Sequence, residues 1–81
     1  MPIRLVIRVK NQLERATWLT VEPWGEVKEL APKAHVNIQA QGPGPDEAPD
    51  GGLVEVQMTP DGIKVWGWSG SDLEIVEPAP K

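Results

Sequence analysis

Apolar side chains in this chain recur at every second position, and in none of its segments at helical spacing. Ile3, Leu5, Ile7 and Val9 alternate with Arg4, Arg8 and Lys10. A period of two sends one set of side chains into a core and the other into water, which is the signature of a half-buried β-strand. The same pattern returns in Thr17, Leu19 and Val21, in Ala34, Val36, Ile38 and Ala40, and in Val54, Val56 and Met58. Proline or glycine punctuates the junctions: Pro23 and Gly25, Pro32, then Pro60 and Gly62 around Asp61, a hairpin signal. Seven short strands are predicted, at about 3–10, 16–21, 26–30, 34–41, 54–59, 63–68 and 72–75. Strands at turn spacings of about 8 to 12 residues predict an all-β fold, a seven-stranded, mostly antiparallel sandwich of immunoglobulin-like architecture, with a small β-barrel as the alternative.

Residues 42–52 depart from the pattern. They hold four Gly, three Pro and three acids, with Ala48 the only apolar side chain, so the expectation is a long flexible loop. Residues 1–77 then form one β domain, and 78–81 an extended tail. A chain of 81 residues buries only roughly 60 to 65% of the surface its unfolded form exposes, which leaves room for one modest core. Having no Phe or Tyr, that core must be filled by Ile, Leu, Val and some of the four tryptophans.

Composition also narrows the function. Zero cysteines exclude disulfides and thiolate zinc sites. A net charge of −4, with Arg4, Arg8 and Lys10 the only basic cluster, argues against a nucleic-acid partner. Arg4 and Arg8 interrupt the first apolar run, so it does not read as a secretion signal, and no stretch has the length of a membrane span; the cytoplasm is the default compartment.

Catalytic chemistry finds no foothold either. His35, the sole imidazole, falls on the polar side of its strand beside Asn37 and Gln39, with no ligand spacing around it. Ser69 and Ser71 lack a neighbouring base. Asp46, Glu47 and Asp50 could offer oxygens to calcium, but they lack the order of an EF-hand loop and read as solvating charge. Carboxylate pairs such as Glu26 with Glu29, or Glu74 with Glu77, are what twelve scattered acids produce by chance. The expectation is a non-enzyme with no cofactor and no metal.

The tryptophans stand out. If Leu19 and Val21 face the core, Trp18 faces away; if Ile63 and Val65 face the core, Trp66 and Trp68 share the opposite face with Lys64. Exposed aromatic residues grouped together mark interaction sites. Trp18, Trp66, Trp68 and Lys64 are therefore the candidate binding residues, for a protein partner or a second copy of the chain, which could instead engage an unprotected edge strand, with a carbohydrate or other flat ligand as the alternative. Thr20 and Glu22 are their polar neighbours. Against this, the Trp-x-Trp pair could itself be the inward set, or Trp24 and Trp68 could cap the open ends of the sandwich.

The stretch from Asn11 to Pro32, with Glu22-Pro23-Trp24-Gly25 and Leu30-Ala31-Pro32, resembles small bacterial single-domain proteins of unknown function that carry an Asn turn, Glu-Pro-Trp-Gly and a Leu-x-Pro turn. The likeness covers residues 5–40 best and Trp66-Gly67-Trp68 less closely. It implies no activity. Lys33 stands where that pattern has Gly, which leaves the type of the turn open. Through Asn11, Leu30 and Pro32 the chain is also similar, over a narrower match, to the β-domain of the von Hippel-Lindau tumour suppressor, which implies a sandwich and nothing about chemistry.

Overall fold

The structure, a computed structural model, describes residues 2–44 and 53–77. Its seven strands are β1 (Pro2–Lys10), β2 (Thr17–Glu22), β3 (Glu26–Leu30), β4 (His35–Pro43), β5 (Glu55–Thr59), β6 (Gly62–Trp66) and β7 (Asp72–Val76), and no helix occurs among the described residues. They form a β-sandwich of two sheets. One has three strands in the order β1-β4-β7, and the other has four in the order β3-β2-β6-β5. All neighbours are antiparallel except β2 and β6, which run parallel. The layering is that of an immunoglobulin-like sandwich, while the strand order differs from the ABED and CFG sheets of immunoglobulin constant domains.

Cross-strand register explains the core. Leu5–Ala40–Leu73 and Ile7–Ile38–Ile75 form inward rows across the three-stranded sheet. Leu19–Ile63–Met58 and Val21–Val65–Val56 do so across the four-stranded one. Leu19, Val21, Ile38 and Val65 are fully buried between the layers, with Val9, Leu30, Val36, Ala40 and Leu73 nearly so. Each such Val, Leu or Ile side chain contributes about 1.5–3 kcal/mol by leaving water. Three strands facing four leave one over, and the strand left over is β5. Val56 and Met58, inward by parity, are 55% and 79% exposed.

Asn11 is the one amide deep in this packing, 2% exposed just past the end of β1. Its Nδ2 donates to the carbonyls of Arg15 at 2.8 Å, Leu30 at 3.1 Å and Ala31 at 3.2 Å, and its Oδ1 accepts the Leu13 N–H at 2.9 Å. The Asn11 N–H itself donates to the Ala34 carbonyl at 2.8 Å. A single side chain thus ties the β1–β2 connection to the β3–β4 connection, both of which cross between sheets.

Lys33, within the β3–β4 turn, has φ of 65°. This is the left-handed backbone that glycine adopts freely and other residues adopt at a cost, so the turn keeps a glycine-type geometry with lysine in the position. The lysine side chain recovers part of the cost: Nζ donates to the Gln12 carbonyl at 2.6 Å and lies 3.1 Å from a Glu14 carboxylate oxygen. Lys33→Val, β-branched at this φ, is expected to lower stability by more than about 1 kcal/mol, and Lys33→Gly by less. Urea unfolding of both variants checks this, and equal losses would show that the backbone conformation is not the constraint.

Two expectations about boundaries change. β4 continues through Gly42 to Pro43, two residues into the expected loop, because glycine there lets the following turn approach: a Cβ on Gly42 would lie 2.7 Å from the Ser71 Cα. Proline is tolerated at the strand's last residue, opposite Pro2. The rest of that loop, 45–52, with Asp46, Glu47 and Asp50, lies outside the described residues, as does the tail at 78–81. The second change is that β6 ends at Trp66 and does not reach Trp68.

Candidate functional site

The outer face of the four-stranded sheet is built by three cross-strand rows. In chain register they are Glu29–Trp18–Gly62–Thr59, Val27–Thr20–Lys64–Gln57 and Glu22–Trp66–Glu55. Trp18, Lys64 and Trp66 are thereby brought onto one surface. Trp18 and Trp66 stand two rows apart, about 13 Å along strands that rise about 3.3 Å per residue, with Thr20 and Lys64 between them.

The two rings differ. Trp66 is half-buried and held: its indole N–H donates to Gln57 Oε1 at 3.1 Å, and Gln57 Nε2 in turn donates to Glu55 Oε2 at 2.7 Å. Trp18 is 49% exposed. Its neighbour across the parallel pair is Gly62, which has no side chain to cover the ring's flank. The result is an open hollow of about 250 Å³ lined by Trp18, Thr20, Val27, Asp61, Gly62 and Lys64. Val27, 55% exposed, supplies a second apolar wall. Acids border this face: Glu29 beside Trp18 by register and Asp61 from the β5–β6 turn at the hollow, with Glu22 and Glu55 farther off in the Trp66 row, against Lys64 alone.

Trp68 lies elsewhere. It packs against the core, and its indole N–H donates to the Pro43 carbonyl of the other sheet at 2.8 Å. The physical reason is topological. The chain must leave the four-stranded sheet after Trp66 to start β7 in the three-stranded one, so strand parity stops applying at Gly67. A Cβ on Gly67 would collide with the Leu73 and Ser71 side chains, and the turn is closed by the Ser71 N–H on the Trp68 carbonyl at 2.9 Å.

Gly62, Val27 and Asp61 were not singled out from the sequence as parts of a site, because only the β2–β6 and β2–β3 registers bring them beside Trp18. A larger open concavity of about 590 Å³ lies on the outer face of the three-stranded sheet, where Arg4 and Val6 on β1 and Asp72 and Glu74 on β7 flank Gln39 and Gln41. It holds no aromatic ring. His35 lies at the edge of that face, opposite Lys10. Among the described residues no three His, Asp or Glu side chains group closely enough to hold a metal ion, and no helix is long and apolar enough to cross a membrane.

Comparison with known proteins finds no matching protein family, curated protein or solved structure.

Proposed function

We propose that this domain is a non-catalytic protein-interaction module, and that its recognition surface is the outer face of the four-stranded sheet centred on Trp18. The observation that carries this reading is the half-exposed Trp18 ring over a glycine floor, with Val27 beside it and carboxylates around it. An apolar centre inside a charged rim is the anatomy of a protein interface. A rim with four acids and one lysine favours a partner segment that places an apolar side chain on Trp18 and Arg or Lys around it. The candidate binding residues are then Trp18, Lys64 and Trp66, joined by Val27.

A random peptide library displayed on phage tests the reading. Selected peptides are expected to combine a large apolar residue with basic neighbours, and to bind more weakly as salt rises. Trp18→Ala is expected to weaken them by about 30-fold or more, the loss typical of a central aromatic anchor, while Lys10→Ala on the other sheet leaves them unchanged. Peptides that bind Trp18→Ala as well as the parent chain, or a library that yields none, would overturn the proposal. Quenching of Trp18 emission by soluble oligosaccharides alone would replace it with the carbohydrate reading.

A further inference from the structure

We infer that two copies of this chain pair through β5, edge to edge and antiparallel about a two-fold axis at Gln57, so that two four-stranded sheets join into one of eight. The inference goes beyond the Trp18 surface and does not depend on it.

Four strands are sheet edges: β1 and β7 in one sheet, β3 and β5 in the other. An edge strand carries outward N–H and C=O groups at every second residue and pairs with another chain unless charge, proline or a bulge blocks it. β1 carries Arg4 and Arg8, β7 carries Glu74, and β3 carries Lys28 and Glu29 in their interiors. The interior of β5 is Val56-Gln57-Met58, with no charge and no proline. Among the described residues nothing pairs with its outer side.

The side chains identify the occupant as a second β5. Val56 and Met58 lie on the inward side of the sheet, yet are left uncovered by the three-stranded layer. With Gln57 opposite Gln57 of the other copy, Val56 falls opposite Met58 and Glu55 opposite Thr59. Both apolar residues meet an apolar residue, and the two carboxylates are kept apart. The inward row Leu19–Ile63–Met58 of one copy then continues into Val56–Val65–Val21 of the other, an unbroken apolar row of six residues. Centring the pair two residues toward the N-terminus would set Glu55 against Glu55, and centring it on Met58 would bring Glu55 against Asp61 and require an N–H from Pro60. Cross-strand charge and hydrogen bonding disfavour both of these registers, and Gln57, the midpoint of Glu55–Thr59, is the centre that pairs all five residues of β5 with one another.

Sedimentation of the whole chain from about 10 µM to about 1 mM, a range that brackets weak association, is expected to show conversion of monomer to dimer. Met58→Lys places one charge in each of the two symmetry-related joined rows and is expected to raise the dissociation constant by about tenfold or more. Because Met58 is so exposed, its melting temperature at low concentration should not change. Position is tested separately, since the chain contains no cysteine. Gln57→Cys is expected to form a disulfide dimer on mild oxidation, whereas Glu55→Cys and Thr59→Cys do so only when mixed with each other. Trp18→Ala should leave all of this intact. A monomer at the highest concentration overturns the inference, as does a dimer that Met58→Lys does not weaken or that Gln57→Cys does not cross-link.

Discussion

Asn11→Ala should lower the unfolding free energy by about 3–4 kcal/mol. The substitution removes four side-chain hydrogen bonds at once. Each buried partner left without water or protein costs about 1–3 kcal/mol, and the Leu30 carbonyl lies in the buried part of the site. Asn11→Asp separates hydrogen bonding from packing, since it keeps the shape but has no N–H to offer three carbonyl oxygens. Near neutral pH it should cost at least as much as alanine. Equilibrium denaturation in urea, with the slope unchanged, gives both values. A loss below about 1 kcal/mol, the worth of one ordinary hydrogen bond, would mean that water replaces the amide in the cavity.

Gly62→Ala is expected to be comparably damaging, for a reason located in the backbone. Gly62 has φ of 152°, in a region that side-chain-bearing residues avoid, and a Cβ there would fall on the carbonyl group of Trp18 in the adjacent parallel strand. Neither group can swing away as a flexible side chain could. The strands must part locally, at a cost of about 3 kcal/mol or more. The same position floors the hollow beside Trp18. Thermal unfolding followed by circular dichroism should show the fall, and the remaining folded fraction should bind the selected peptides less well. Unchanged melting together with unchanged binding would place the β2–β6 register elsewhere.

Most of the strand pattern was legible because alternation is a local property: each residue's neighbours in sequence suffice to reveal a period of two. Placing Trp18, Lys64 and Trp66 on one face needed only parity, and the structure puts them there. Trp68 was misplaced by extending that parity beyond Gly67, where the chain changes sheets. Asn11 looked like an ordinary turn residue, since its partners at Leu30 and Ala31 are some twenty positions away and nothing in spacing announces them. The exposure of Val56 and Met58 was equally hidden. Alternation says which way a side chain points, while burial depends on whether an opposite layer extends that far.

The parallel pairing of β2 with β6 also governs how the sandwich can come into being. Trp18 and Gly62 face each other across 44 positions of chain. Each is central to the four-stranded sheet, so the β2–β3 and β5–β6 hairpins are half-sheets that cannot cover their own apolar faces. Contacts between residues so distant are slow to form, because the intervening chain must be ordered before they reward it. If the two hairpins form first, β2 therefore lacks an inner neighbour until β6 pairs with it, and the four-stranded sheet is complete only then.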